Sequence, residues 1–217
     1  MPRIALIHAL GAAMDPAADA FARLWPEARV TGLLDDSLSE DLAAAGAITP
    51  EITQRFLDLA AYVVATGAEA ILFTCSAFGA AIDRVKAEAT VPVLKPNEAG
   101  IADALEAGPR IVLLATFEPT LASMGAEIAV GARERGIDLD LVAHHVPGAM
   151  AALQRGDGAG HDDAIAAAAA EAGACDALLL CQFSMARAGA TIPRMAGRRV
   201  VTTPDSAVRR LRALLGA

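Results

Sequence analysis

The chain alternates short aliphatic runs with longer stretches in which apolar residues recur at helical spacing. The runs are Ile4–Ile7, Ala28–Leu34, Ala70–Thr74, Val91–Leu94, Ile111–Ala115, Asp138–Ala143, Ala177–Leu180 and Arg199–Thr202. They have strand length and read as strands buried on both faces. Between them, Ile52, Phe56, Leu59 and Val63 mark one helical face, which Thr49-Pro50-Glu51 opens and Gly67 stops. Asp15-Pro16 opens a helix carrying Ala18, Phe21 and Leu24, and Pro119 opens one carrying Leu121, Met124 and Ile128. Ser76–Glu88 is predicted helical. Asp157-Gly158-Ala159-Gly160 reads as an exposed loop before a helix from Asp162 to Ala172, and Asp205 as the cap of a last helix with Val208, Leu211 and Leu214. Strands alternating with helices predict an α/β fold with parallel sheets covered on both sides.

The pattern repeats. Gly67–Cys75 lines up with Gly173–Cys181 at a separation of 106 residues, Arg3–Ile7 with Arg110–Leu114 at 107, and Pro96–Ala99 with Pro204–Ala207 at 108. Eight strands then divide into two copies of four, with the junction of the halves near Ala107-Gly108-Pro109. The expected architecture is two pseudo-symmetric lobes, each a four-stranded parallel sheet flanked by helices, with the active site between them.

Composition narrows the partners. The 217 residues are 55% hydrophobic and 4% aromatic, so the core is mostly aliphatic and alanine. A net charge of −8 argues against a nucleic-acid groove, which needs clustered Lys and Arg. Lysine occurs only at Lys86 and Lys95, which leaves few candidates for Schiff-base chemistry. No apolar run approaches the ~20 residues of a membrane-spanning helix, and Met1-Pro2-Arg3-Ile4 enters a strand without a cleavage pattern. A cytoplasmic protein with reduced thiols is expected. No phosphate-loop or dinucleotide-binding fingerprint occurs, and the cysteines and histidines lack compact zinc-site spacing.

Two of the three cysteines end predicted strands of the repeat. Ligands of parallel α/β folds bind at the carboxyl ends of strands, and a helix starting there lowers a thiol pKa and attracts a carboxylate. Cys75 and Cys181 are therefore the candidate acid–base pair, while Cys175, matched to Glu69, reads as structural. Other polar strand ends are His8, Asp35-Asp36, Lys95-Pro96-Asn97, Thr116 to Glu118, His144-His145 and Thr203-Pro204-Asp205. Asn97 and Asp205 read as helix caps. Alanine-rich helix faces suit a homo-oligomer, most simply a two-fold dimer.

The duplicated halves, Thr74-Cys75-Ser76-Ala77, Leu180-Cys181-Gln182, Ala115–Thr120 and Pro204–Val208 together resemble the aspartate/glutamate/hydantoin racemase superfamily over nearly the whole chain. The resemblance implies lobes of residues 1–96 with 205–217 and 97–204. It implies a cofactor-independent mechanism: one cysteine thiolate removes the proton α to a carboxylate or carbonyl, and the other, as thiol, protonates the opposite face. The substrate would be a small carboxylate or cyclic amide, held by groups around Ser76-Ala77, Gln182-Phe183, Thr116, Glu118 and His8. The departures are His8-Ala9 where glutamate racemases carry Asp-Ser, Ser76-Ala77 for Asn-Thr, and Gln182-Phe183 for Thr-His. They speak against a glutamate substrate. Arylmalonate decarboxylases, with glycine in place of the first cysteine, and maleate isomerases are relatives that offer alternative chemistry. A silent small-molecule binding protein is the alternative from another class.

Overall fold

The computed structural model describes residues 1–217. The elements run β1 (Arg3–His8), α1 (Met14–Leu24), β2 (Arg29–Leu34), α2 (Leu38–Ala45), α3 (Pro50–Ala65), β3 (Ala70–Phe73), α4 (Gly79–Glu88), β4 (Val93–Leu94) and α5 (Glu98–Ala107). They continue with β5 (Arg110–Ala115), α6 (Pro119–Glu134), β6 (Asp140–His145), α7 (Ala149–Gln154), α8 (Gly158–Glu171), β7 (Ala177–Leu180), β8 (Arg199–Thr202) and α9 (Thr203–Leu214). Short 3-10 segments at Ser76–Phe78 and Phe183–Ala190 follow β3 and the Cys181-Gln182 turn. No helix is long and apolar enough to cross a membrane.

The strands form two four-stranded sheets, ordered β2-β1-β3-β4 and β6-β5-β7-β8, and every pairing is parallel. Two compact units result: Met1–Glu98 with Ala207–Ala217, and Ala99–Ser206. The Ala107-Gly108-Pro109 segment lies inside the second unit, where it turns α5 into β5. Gly108 has φ +149, and a Cβ there would lie 2.6 Å from Asp176 Oδ2, because that carboxylate accepts from the Arg110 N–H at 3.0 Å. Only glycine fits the turn.

Burial explains the sheets. All four residues of β3 and of β7 are buried, as in central strands covered on both faces. In the first unit the Phe56 ring stacks on Phe73 at 5.3 Å and tilts on Phe78 at 4.9 Å. These rings join α3, β3 and the 3-10 turn after Cys75. Each buried aromatic contributes roughly 1.5–3 kcal/mol.

Several predicted boundaries move, each for a local reason. Asp157 is the cap of α8, its Oδ1 accepting from the Gly160 N–H at 2.9 Å, so the glycine-rich stretch is the helix's first turn and not a loop. Helix α9 begins at Thr203, which puts Asp205 in the first turn, facing the helix dipole, and not at the cap. Strand β6 slides to Asp140–His145 because pairing from Arg110↔Asp140 to Ala115↔His145 sets its ends. Helices α2, α5 and α7 have too few large apolar residues to reveal a period in sequence.

Strand pairing also corrects the repeat. Ile4 pairs with Ala70 as Ile111 pairs with Ala177, and Leu72 pairs with Leu94 as Leu179 pairs with Val201. Whereas β2 and β6 stand 111 apart, Arg29 pairing with Arg3 as Asp140 pairs with Arg110, the separation is thus 107 for β1, β3 and β4 against β5, β7 and β8. Under it the counterpart of Cys181 is Thr74, and that of Cys75 is Gln182. The backbone agrees: Thr74 N–H donates to Ile7 O, and Cys181 N–H to Leu114 O. Likewise Glu69 corresponds to Asp176, not Cys175; their carboxylates accept from the N–H groups of Arg3 and Arg110. The two cysteines are not at equivalent positions. A slip of one residue in a strand turns a side chain to the other face.

Candidate active site

In the first unit, β1 and β3 deliver their carboxyl ends side by side. His8 closes β1 at 1% exposure, and its Nδ1 lies 2.9 Å from Thr74 Oγ1. Gly32 lies beside the ring, where a Cβ would make an ordinary van der Waals contact of 3.6 Å with His8 Nε2. Burial lowers the His8 pKa to about 4, so the imidazole is neutral at pH 7. His8 thus ties the ends of β1 and β3 together. At the neighbouring strand end, Arg55 of α3 pairs with Asp35 at 2.5 Å and Asp41 at 2.6 Å.

This burial carries a pH prediction. A histidine whose pKa is depressed on folding stabilises the fold above its ordinary pKa of about 6.5. That contribution is lost as pH falls through about 6.5 toward 4, and its size is about 3 kcal/mol. Urea unfolding at pH 7.5 and pH 4.5 should show a loss in the wild type that His8→Asn lacks. Equal losses in both proteins would refute it.

Cys75 follows β3 and opens the Ser76–Phe78 turn from extended backbone (φ −121°, ψ 119°). It is half-buried and packs at the edge of the cluster that holds Ile7, Ile71, Phe73 and Phe78. Burial raises its thiol pKa, and a hydrogen bond from the Ala77 backbone offsets part of the rise. Ser76 and Ala77 are exposed, while Phe78 is fully buried and anchors the turn. The arrangement presents a neutral thiol beside two exposed residues at a strand's carboxyl end.

In the second unit, Thr116 follows β5 at 3% exposure. Its N–H and Oγ1 both donate to Gln182 Oε1, at 2.7 and 3.0 Å. Gln182 is half-buried, Phe183 is buried, and Phe117 and Glu118 are exposed. Cys181 is 3% exposed, and its Sγ donates to Leu179 O at 3.6 Å. Burial pushes its thiol up to about 12, opposed by a backbone hydrogen bond at Leu114. It packs with Ile111, Leu113 and Leu179. In the numbering of the repeat these match Ile4, Leu6 and Leu72, whereas Cys75 packs with the odd-numbered Ile7, Ile71 and Phe73. Cys75 and Cys181 therefore leave their sheets on opposite faces in repeat-equivalent terms.

No family model and no curated protein matches the sequence. Solved structures do. Allantoin racemase from Klebsiella pneumoniae superposes with a TM-score of 0.68 at 17% identity, over 100% of this chain and 88% of that one. An aspartate racemase homologue from Pyrococcus horikoshii OT3 gives 0.71 at 16% identity, over 100% of both chains. Unliganded arylmalonate decarboxylase gives 0.62 at 19% identity, over 100% and 94%. This chain shares its fold with these two racemase structures and the decarboxylase. At such identities the likeness is one of fold, and chemistry has to be argued from residues.

The second unit also holds a partly buried network, away from the strand ends. His161 of α8 is fully buried, with Nδ1 2.9 Å from Asp162 Oδ1, and Asp162 Oδ2 accepts from Arg187 Nε at 2.6 Å. Arg187 belongs to the Phe183–Ala190 segment, so the network pins the chain that follows Gln182 to α8. The buried hydroxyls of Thr202 and Thr203, at the carboxyl end of β8, have no partner. Charge spacing gives no hint of the network, because 25 residues separate Asp162 from Arg187. The threonines carry a faint signal: they are hydroxyl residues at the end of a predicted strand.

Proposed function

We propose that this protein is a cofactor-independent racemase or epimerase of a small amino acid, hydantoin or related carboxylic acid. Cys75 and Cys181 are its acid–base groups. The observation that carries the reading is the half-buried Cys75 thiol at the carboxyl end of β3, next to the exposed residues Ser76 and Ala77. In the step envisaged, a thiolate takes the α-proton and the C–H electron pair passes into a planar enolate-like intermediate. The second thiol then delivers its proton to the other face. Hydrogen-bond donors at the strand ends stabilise the developing oxyanion. The superfamily fold supports this class of reaction.

Decarboxylation of a substituted malonate is the second reading, favoured by the state of the thiols. Both have raised pKa values and rest protonated, and Cys181 is nearly inaccessible. Decarboxylation needs one proton donor and no resting thiolate. The C–C bond breaks, carbon dioxide leaves with no electrons from that bond, and the carbanion takes the Cys75 proton. Water then reprotonates the thiolate.

Proton NMR in deuterium oxide with chiral amino acids, hydantoins and 2-substituted malonates separates the readings. Loss of an α-proton signal from an otherwise unchanged, racemising compound is the expected result. Release of carbon dioxide with one deuteron in the product would establish the second reading instead. Neither event on any compound would overturn both.

A further inference from the structure

The Gln182 carboxamide has only one orientation that its neighbours accept. Its Oε1 receives two hydrogen bonds from one residue, the Thr116 N–H at 2.7 Å and the Thr116 hydroxyl at 3.0 Å. A carboxamide oxygen has two lone pairs, and both are taken. Exchanging oxygen and nitrogen would set an NH2 group against the Thr116 N–H, which can only donate. Nε2 is therefore the donor end. Thr116, expected from sequence to help hold substrate, spends its donors on Gln182 and acts as a positioning residue.

The place of this donor is informative. Gln182 lies one residue past Cys181, at the carboxyl end of the second sheet, where parallel α/β folds hold their ligands. It is half-buried, so part of it meets solvent. Under the 107-residue register it stands in the second unit where Cys75 stands in the first. Where one unit puts its thiol, the other puts a clamped N–H donor. Glutamine is also uncharged, so its polarity is fixed at every pH at which the protein is folded.

We infer that Gln182 is a specificity-determining residue whose Nε2 donates to an acceptor oxygen of the substrate, a carboxylate or a cyclic-amide carbonyl, and discriminates against an ammonium group at that position. The inference rests on the reading that the carboxyl end of the second sheet meets substrate. It deepens that reading by naming the group that binds there.

Gln182→Glu tests it with little change of shape. A glutamate Oε1 still accepts from both Thr116 donors, while the outward NH2 becomes an oxygen. The polarity facing the ligand reverses and the clamp survives. Binding of malonate and of hydantoin is measured by ligand-observed NMR and calorimetry on the full chain, with the melting temperature as a check on folding. The wild type should bind at least one probe, and Gln182→Glu should weaken it at least tenfold. Malonate alone responding identifies a carboxylate; hydantoin alone identifies a ring carbonyl. Thr116→Val, which removes the hydroxyl donor and leaves only the backbone N–H on Oε1, loosens the clamp, should weaken the same probe several-fold and stands in if the glutamate variant fails to fold. Unchanged affinity in Gln182→Glu, or no binding of either probe to the wild type, would overturn the inference. Probe binding lost in Gln182→Glu with no α-proton exchange on any compound would leave the inference standing and remove the proposed reaction. Exchange whose KM ignores Gln182→Glu would do the reverse.

Discussion

Cys75→Ser is expected to lower turnover about 10²–10⁴-fold, the range set by removing a positioned proton-transfer group. Serine keeps the size and the hydrogen bond from the Ala77 backbone but is a far weaker acid. Loss of rate without loss of stability is therefore the signature. Cys75 lies at the edge of its core cluster, half-buried, so the substitution removes little packing. Circular dichroism and the melting temperature should match the wild type. Cys181→Ser then divides the two readings. If two bases act, it abolishes racemisation to a similar degree. If one thiol suffices for decarboxylation, its effect on rate is small, while burying a hydroxyl among Ile111, Leu113 and Leu179 still costs stability. Retained turnover in Cys75→Ser would remove the assignment of chemistry to the first unit altogether.

The second large effect is on stability, and it reaches the site through packing. Phe78→Ala is expected to destabilise the protein by about 3–5 kcal/mol, as large-to-small changes of buried aromatics do. Phe78 is fully buried, contacts the Phe56 ring at 4.9 Å, and closes the three-residue turn that Cys75 opens. Its loss leaves a cavity beneath Ser76-Ala77 and unties the turn from α3. Denaturant unfolding measures the first effect. The rate of Cys75 alkylation by iodoacetamide measures the second, and should rise as the turn loosens. A stability loss under about 1 kcal/mol with unchanged alkylation would show that the turn holds its shape without the ring. The size is a large part of the 5–15 kcal/mol that folded domains have in total.

The choice between racemase and decarboxylase chemistry turns on protonation as much as on geometry. Both candidate thiols lie above their ordinary range because their surroundings desolvate the thiolate. A two-base racemase needs one of them ionised when the substrate arrives. The 3-10 turn after Cys75 offers the Ala77 N–H toward that end. Cys181 has no such turn directly after it, since Gln182 intervenes before the Phe183–Ala190 segment. The one-residue shift between the halves thus bears on mechanism. It gives the first unit a half-buried thiol at the edge of its core and the second a thiol inside the core beside a clamped carboxamide.

Periodicity alone determined the α/β class, the eight strands, the parallel sheets and the fact of duplication. Those features depend on local rules: buried strands read as unbroken aliphatic runs, and long helices read as 3.6-residue repeats. Thr49-Pro50 and Pro119 mark the starts of α3 and α6 because proline suits the first helical turn. The strand ends carrying Cys75, Thr116 and Gln182 were legible for the same reason. The register between the halves was decided only in three dimensions. Sequence matching gave separations of 106, 107 and 108 and paired cysteine with cysteine, whereas hydrogen bonding among β1, β3 and β4 and among β5, β7 and β8 imposes 107 and matches Cys181 with Thr74. Side chains alternate faces at every residue, so a shift of one decides which thiol meets solvent and which meets the core. Tertiary structure likewise decided that His8 is a buried neutral tie, that Thr116 serves Gln182, and that Asp162 holds Arg187. Those facts rest on contacts between residues 25 to 66 positions apart, which no local pattern encodes.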